Sequence, residues 1–357
     1  MSYRVEVQRL AVRRRGGGVK APVLDDVSFG VEPGRTCGLF GRAGAGKSTL
    51  LACLAAYRRP SGGTVRVDGE DPYENARLMS GTCLVDGRGG IGADESTTVR
   101  EVLEIAALVR PRWDQTFADR LLDRFEVASG TKVAALPRGR RAALAVTMGL
   151  ATRAPLTMVD EAHLDLEPVH QVIFYEELHG DRAAHPRTVI LAGATAGESD
   201  DGDGPAAGEG GGLLDDVVLL GHGRVLAAVP SARLQGLGHE LTGDADVVAA
   251  LVHAVSGDAR ADDAPTGDVP TGDAPVGDVP ADDALVGRAM AGKAVALVSD
   301  RRLGRIRSVV LAGRLTPDAL GAAERAGINV NPVGPRRLVT CLTDDRFLSG
   351  NHRERTP

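Results

Sequence analysis

The chain has 357 residues and a formal net charge of −6, with 42 Lys and Arg against 48 Asp and Glu. This length suits one large or two moderate domains with a sizeable core. The acidic balance gives no overall attraction to nucleic acid or anionic lipid, and 3% aromatic content leaves few surfaces for stacking on bases, so no nucleic-acid partner is expected. The four cysteines lack the spacing of a metal site, which favours a reducing cytosol.

The N-terminal region predicts two strands. Residues 3–12 and 23–32 alternate apolar and polar side chains, which is typical of antiparallel strands, and the basic, glycine-rich segment 13–18 predicts a turn between them. This start is unlike a signal peptide, and no apolar stretch of the chain is long enough to cross a bilayer. We therefore expect a soluble protein that reaches a membrane only through a partner.

A glycine-rich loop follows, between a short apolar strand at 36–40 and a good helix former at 50–56. The residues predicted to bind nucleotide are Gly41, Arg42, Ala43, Gly44, Ala45, Gly46, Lys47, Ser48 and Thr49. Strand, glycine-rich turn and helix are the context of a phosphate-binding loop, whose N–H groups and helix N-terminus attract an anion. Lys47 is expected to contact the β- and γ-phosphates, and the Ser48 hydroxyl to ligate Mg²⁺. A chance match in a chain with 46 glycines is disfavoured by the flanking strand and helix.

Further elements are predicted from short apolar runs and helical periodicity. The expected strands are 62–69, 82–85, 156–161 and 188–191, and the expected helices lie within 97–153 and at 167–179. An acidic, glycine-rich insert at 197–212 predicts a mobile loop, and 213–229 predicts a hairpin that turns at 221–223.

Two carboxylates end the apolar strand that begins at Leu156. Asp160 is predicted to hold the Mg²⁺ shell, and Glu161 is predicted to be catalytic, as a general base for the attacking water. A surface acidic pair is the alternative, and the phosphate loop upstream disfavours it. Residues 160–163 also spell a helicase motif, but the chain has no room for a second nucleotide-binding core. His163 is expected to face solvent.

The composition changes beyond residue 240. Residues 261–285 form a five-residue near-repeat with regular prolines and aspartates, which predicts an extended linker in preference to a folded repeat or an acidic cation site. Residues 286–345 regain strand and helix patterns and predict a small α+β module, whose residues indicate no particular chemistry. Its expected elements are strands at 294–298 and 308–311 and a helix at 317–326.

From residue 3 to about 235, the chain resembles an ATP-binding subunit of an ABC transporter. The resemblance rests on the phosphate loop, the carboxylate strand and the helical block between them, at about 87–153. It implies an α/β fold: a P-loop NTPase core of ABC type with an antiparallel β subdomain and a helical subdomain, plus a small C-terminal α+β module. The expected domains are an ATP-binding domain at 1–238, an acidic disordered linker at 256–286 and an accessory module at 287–346.

In this family two such subunits sandwich two ATP molecules, and the helical block docks on a membrane permease. The resemblance therefore implies ATP and Mg²⁺ as cofactors, and a permease and a second ATP-binding subunit, alike or different, as partners. It also implies a cytoplasmic position, peripheral on the inner face of the cell membrane. Asp86 matches the family's lever-loop glutamine and is expected to be a metal ligand with Ser48 and Asp160.

Several positions depart from the family's pattern. Pro137 replaces the signature serine that donates to the γ-phosphate bound by the opposite subunit, and Ala194 stands at or near the place of the switch histidine. Glu167 replaces the dimer-contact aspartate, and Arg13 or Arg14 replaces the adenine-stacking aromatic. Each lost donor typically costs ~10²–10³ in rate, so we expect ATP binding with slow turnover.

Three alternatives remain open. The arginines at 138, 140 and 141 could compensate electrostatically for the missing donor, although a basic, solvated helix start is the simpler expectation. The whole chain could instead be a non-hydrolytic, ATP-sensing regulatory pseudo-ATPase of the same fold. A soluble ABC ATPase that acts on nucleic acid or ribosomes is disfavoured by the single set of motifs and the acidic balance.

Overall fold

A computed structural model describes residues 1–13, 22–86, 96–193, 213–234, 236–257, 289 and 295–342. The chain divides into two compact units. One unit comprises Met1–Ala194 and Asp201–Ala228, and the other comprises Thr195–Asp200 and Val229–Pro357. Within the described residues, no helix combines the length and the apolar composition that a membrane crossing needs.

The first unit contains two sheets and a block of helices. Its strands are β1 (Val5–Val12), β2 (Leu24–Val31), β3 (Thr36–Gly41), β4 (Gly62–Val67), β5 (Thr82–Asp86), β6 (Leu156–Asp160), β7 (Thr188–Gly193), β8 (Asp216–Gly221) and β9 (Arg224–Pro230). Its helices are α1 (Lys47–Leu54), α2 (Ala76–Ser80), α3 (Val99–Val109), α4 (Gln115–Arg124), α5 (Arg138–Ala151) and α6 (Pro168–Ala184), with short 3₁₀ helices at Val133–Ala135 and Ala162–Asp165.

The smaller sheet of this unit has the order β2-β1-β4. Val7 of β1 lies opposite Phe29 on one side and Val65 on the other, and both pairings are antiparallel. The alternation in the sequence buries one set of side chains, including Val5 and Val7, in the core beneath the sheet. The predicted antiparallel pairing of the first two strands is confirmed.

The larger sheet has the order β5-β6-β7-β3-β8-β9, and its neighbours from β5 to β8 are parallel. β7 is buried along its whole length, as expected of a parallel strand covered on both faces. The registers pair Asp86 with Asp160, Asp160 with Ala192, and Phe40 with Gly193. The carboxyl ends of four strands therefore meet at one edge of the sheet, which is where the candidate site lies.

The helices α3 to α5 form the block predicted at about 87–153. Thr98 caps α3 through a reciprocal capping box with Glu101, and Asp114 caps α4 by accepting from the Phe117 N–H. Phe117 and Phe125 are buried in the core that these helices share with the large sheet. Periodicity alone therefore placed the apolar faces correctly.

A buried charged cluster joins the ends of the helices to the large sheet. Asp181, near the end of α6, accepts from both Arg153 and Arg187, and His185 lies 3.0 Å from the same carboxylate. Arg153 also bonds to Asp114 at 2.9 Å. Burial lowers the pKa of Arg187, and the neighbouring Asp181 carboxylate acts in the opposite direction.

The second unit is a four-stranded antiparallel sheet covered by helices. Its elements are a 3₁₀ helix at Ser231–Leu234, β10 (Gly238–Asp244), α7 (Ala245–Gly257), β11 (Ala296–Leu303), β12 (Ile306–Ala312), α8 (Pro317–Arg325), β13 (Asn329–Val333) and α9 (Pro335–Leu342). The sheet order is β11-β12-β10-β13. Leu241, Val248 and Leu311 lie in its core.

The expected domains leave out most of two elements of this unit. β10 and α7 occupy 238–257, mostly between the expected ATP-binding domain and the expected linker, and β10 belongs to the second sheet. α7 continues to Gly257, into the linker that was expected to start at 256, although its last apolar residue is Val255. The acidic repeat, the 197–212 insert, Ala194 and Arg14 lie outside the described residues.

Candidate functional site

The loop between β3 and α1 takes a conformation that requires glycine. Gly41, Gly44 and Gly46 have φ angles of +154°, +85° and +104°. A Cβ on Gly41 would lie 2.5 Å from the Leu220 carbonyl oxygen, and one on Gly46 would lie 2.5 Å from Leu24 Cδ2. At Gly44, in contrast, no described atom lies within 4 Å of an added Cβ. The loop is thus packed at both ends and open at its centre, as a ligand cradle must be.

The helix that follows the loop begins without a side-chain cap. Gly46 occupies the N-cap position and Lys47 begins α1. The loop itself is closed by the Ala45 N–H, which donates to the Arg42 carbonyl oxygen at 3.0 Å. The first N–H groups of α1 therefore supply the positive end of the helix dipole to this loop, which suits an anion.

Lys47 is buried, with 4% of its side chain exposed. Its ammonium donates to the carbonyl oxygens of Gly41 at 2.6 Å and Arg42 at 3.1 Å. It also lies 3.2 Å from Glu161 Oε1. A buried ammonium needs such partners, because burial without them would be strongly unfavourable. The predicted phosphate-binding lysine and the predicted general base therefore touch each other.

Asp160 lies at the end of β6, beside Asp86 at the end of β5. Its carboxylate accepts from the Ser48 hydroxyl, while Oδ1 is buried and has no hydrogen-bond partner among the described residues. Burial raises the pKa of Asp160 above its ordinary value. Repulsion from Glu161 and Asp86 adds to this, whereas Ser48 and Lys47 act in the opposite direction.

These groups fit a hard cation. Mg²⁺ prefers oxygen ligands and is commonly held by one or two carboxylates together with substrate phosphates. Asp160 offers an unpartnered buried oxygen, the Ser48 hydroxyl is bonded to the same carboxylate, and exposed Asp86 lies alongside. In the part of the chain that the structure describes, no group of three or more His, Cys, Asp or Glu could hold a metal alone. Such a site would rely on phosphate oxygens as further ligands.

Glu161 follows Asp160 in a left-handed backbone conformation, with φ of +59°. Its N–H donates to the Ala192 carbonyl oxygen of β7 at 3.0 Å, which fixes the main chain. Its carboxylate is 44% exposed. The main chain of this residue is therefore held, while its side chain can leave Lys47 without a change in the fold.

The expectation that His163 faces solvent is wrong. This histidine is buried and stacks on Phe174, with ring centroids 5.5 Å apart. Tyr175 meets it edge-on at 6.0 Å. Burial lowers the pKa of His163 to about 4, so the imidazole is neutral. The 3₁₀ helix after Glu161 turns the His163 side chain toward α6. The sequence alone does not show in which direction such a short helix turns a side chain.

Pro137 precedes α5 and offers its first turn no side-chain cap. The side chain of Arg138 is 83% exposed and pairs with Asp165 at 2.7 Å. The sequence had assigned no role to Asp165. The signal that could have indicated this pair was the negative charge of Asp165, which is opposite to that of Arg138.

Arg140 is not part of a solvated surface, contrary to expectation. It bonds to Glu126 at 2.6 Å and to the Phe125 carbonyl oxygen, and its guanidinium lies 3.1 Å from His170 Nε2. Because a guanidinium only donates, the imidazole nitrogen accepts. Glu167, at the start of α6, lies 3.8 Å away. Arg140 is thereby committed to joining α4, α5 and α6, which leaves Arg138 as the more exposed of the two.

The fold and the loop define a P-loop nucleotide-binding protein, and comparison with known proteins gives the family. The sequence model of the family described as ABC transporter matches residues 24–163. A probable anion import ATP-binding protein of Haloferax volcanii is 30% identical over 212 residues, which are 52% of this chain and 71% of that protein. The chain belongs to the ABC transporter family and carries its ATP-binding domain.

Other similarities cover different shares of the proteins compared. The mycobactin import ATP-binding/permease protein IrtB of Mycolicibacterium smegmatis is 32% identical over 185 residues, or 47% of this chain and 31% of that protein. The chain thus spans less than a third of that relative's length. A solved ATP-binding subunit of an ABC transporter has the same fold, with a TM-score of 0.52 and 22% identity over 64% of this chain and 91% of the other.

Proposed function

We propose that this chain is the ATP-binding motor subunit of an ABC transporter, which couples ATP binding and slow, Mg²⁺-dependent hydrolysis to a membrane permease. The observation that carries the proposal is the open glycine loop with buried Lys47, set at the same sheet edge as the unpartnered oxygen of Asp160. The similarity to an import ATP-binding protein supports the transport role.

Each residue of the site has a part in this function. The N–H groups of the loop and the Lys47 ammonium would hold the triphosphate. Ser48 and Asp160 would hold the Mg²⁺ ion, with Asp86 beside them. When bound, this ion neutralises charge that develops on the phosphoryl oxygens. The Glu161 carboxylate would then accept a proton from the attacking water, once it has left Lys47.

Slow turnover follows from the start of α5. Pro137 has neither a hydroxyl nor an N–H group, so it cannot donate to a phosphate across a dimer interface. One missing donor to developing charge typically costs ~10²–10³ in rate. Ground-state binding should suffer less, because the glycine loop carries most of the phosphate contacts.

The surface of α3 supports a protein partner. Ile105, Leu108 and Val109 are exposed apolar side chains on this one helix, and Leu108 is 85% exposed. Exposed apolar groups that lie together commonly mark interaction sites. We place the permease contact on this helical block, which would bring the chain to the inner face of the membrane, and we expect a second ATP-binding subunit to complete the motor.

The first test is nucleotide binding. Labelled ATP should bind the purified chain with Mg²⁺, and Lys47→Ala should abolish binding because the cradle loses the ammonium that contacts the phosphates. Lys132→Ala is the matched control, since this lysine is exposed in the helical block, and it should bind as the wild type does. Failure of the wild type to bind ATP, or equal binding by Lys47→Ala, overturns the proposal.

A second candidate function is a non-hydrolytic regulatory ATPase homologue that senses ATP. Pro137 at the start of α5 is the observation that favours it. ATP-driven dimerisation without measurable turnover would support this function over the motor. Turnover above roughly 1 s⁻¹ in the absence of a partner, a modest value for an enzyme, would contradict both slow hydrolysis and the regulatory alternative. Recovery of a permease from membranes with the chain would support the motor.

A further inference from the structure

Lys47 has no spare hydrogen-bond donor. An ammonium group carries three N–H bonds. In this chain it meets the Gly41 carbonyl oxygen at 2.6 Å, the Arg42 carbonyl oxygen at 3.1 Å and Glu161 Oε1 at 3.2 Å. With 4% of the side chain exposed, the ammonium is closed off by these contacts. A phosphate can contact Lys47 only by replacing one of them.

Glu161 is the contact that can be replaced. The two carbonyl oxygens belong to the loop itself, whose Gly41 is held in the sheet by pairing with Leu220 of β8. Moving either one would distort the cradle. The Glu161 carboxylate is 44% exposed and ends a flexible side chain, while its main chain stays bonded to Ala192. Rotation of the Glu161 side chain therefore disturbs the loop less than movement of either carbonyl group would.

We infer that Glu161 is an internal competitor for the phosphate site, which the nucleotide must displace from Lys47. The inference rests on the proposed function. Its first consequence is that the chain binds nucleotide more weakly than it would without this carboxylate. Its second is that the proposed general base stays engaged until a phosphate arrives, so that the substrate itself releases the base.

Binding of ADP and of a non-hydrolysable imido analogue of ATP tests this, because turnover affects neither measurement. Dissociation constants are measured by calorimetry on the full chain in the presence of a chelator, so that Mg²⁺ ligation does not enter. Glu161→Gln should tighten both ligands on the order of tenfold, equivalent to about 1.4 kcal/mol. Asp86→Asn removes a nearby charge that does not touch Lys47 and serves as the control, with a smaller expected effect.

Glu161→Asp tests whether nucleotide binding is weakened by the direct contact with Lys47 or by the negative charge alone. It keeps the negative charge but is one methylene shorter, so its carboxylate draws back from the 3.2 Å contact. Aspartate also tolerates the left-handed backbone at this position. Direct competition predicts that Glu161→Asp tightens binding by more than about threefold. Unchanged binding in Glu161→Asp or in Glu161→Gln overturns the inference, whereas absence of binding in every variant and in the wild type overturns the proposed function instead.

Discussion

Arg138 and Asp165 form an ion pair of 2.7 Å between the start of α5 and the 3₁₀ helix that follows Glu161. Because the arginine is 83% exposed, the pair contributes only ~0–1 kcal/mol to stability. Its effect is positional. The ion pair joins the segment that carries Pro137 to the segment that follows the two carboxylates of the site.

Replacing Pro137 with serine should raise turnover. The change restores a hydroxyl at the start of α5, and a restored donor to developing charge is typically worth ~10²–10³ in rate. ATP affinity should stay the same, because the glycine loop is untouched. Steady-state ATP hydrolysis and an ATP titration measure the two effects. Pro137→Ala is the control, since it restores the N–H group without the hydroxyl, and equal turnover in both variants would refute the expectation.

Asp160→Asn should impair Mg²⁺-dependent ATP binding without destabilising the folded chain. Burial and nearby carboxylates raise the pKa of Asp160, so the folded chain disfavours the ionised form, and removing the charge should leave the free energy of unfolding unchanged or greater. The amide oxygen can still accept from Ser48. The tightening of ATP binding by Mg²⁺ should be lost. Urea unfolding and ATP titrations with and without Mg²⁺ test this, and a clear loss of stability in Asp160→Asn would contradict it.

Asp181→Asn should destabilise the first unit strongly. It leaves the buried Arg187 and the partly buried Arg153 without their shared carboxylate, and only Arg153 keeps a second one, on Asp114. Breaking a buried pair in this way typically costs 3–5 kcal/mol, and we expect about that loss in the free energy of unfolding by urea. Asp300→Asn is the control, because its pair with Arg307 is more exposed and should cost less than about 1 kcal/mol. Similar losses in both variants would contradict a buried network.

His163 should make stability depend on pH. Its pKa is about 4 in the folded chain, while an unfolded histidine titrates near 6.5. The unfolded chain therefore binds the proton more readily, and stability is lost as the pH falls below about 6.5. Between about pH 7.5 and pH 5 this residue should cost about 2 kcal/mol.

The variant His163→Phe should remove this share of the pH dependence, because phenylalanine can keep the stack on Phe174 without a titrating group. His179→Asn, at an exposed position of α6, is the matched control. Urea unfolding at the two pH values gives the comparison. An unchanged pH dependence in His163→Phe would show that this histidine is not buried and neutral.

The sequence was sufficient to predict the strands and the helix around the site, but not the contacts between side chains within it. The strands ending at Gly41 and Asp160 could be predicted because continuous apolar runs ending in glycine or carboxylates are typical of parallel strands. The contact of Lys47 with Glu161 could not be predicted, since it depends on how β3 and β6 align through β7. The burial of His163 depends on the direction of a single 3₁₀ turn.

The second unit was harder to predict because its strands have weak patterns. β10 contains two glycines and only one large aliphatic side chain, Leu241, yet it is central in the sheet because α7 covers that leucine. β13 contains Pro332 and two asparagines, which disfavour a strand. Proline is tolerated there because β13 lies at the sheet edge, where an N–H group is not required.

The position of β10 between β12 and β13 also fixes the order in which the second unit can be completed during synthesis. Both neighbours leave the ribosome only after the acidic near-repeat at 261–285 has been made. A chain cut within that repeat leaves β10 with neither neighbour, so truncation removes this sheet altogether.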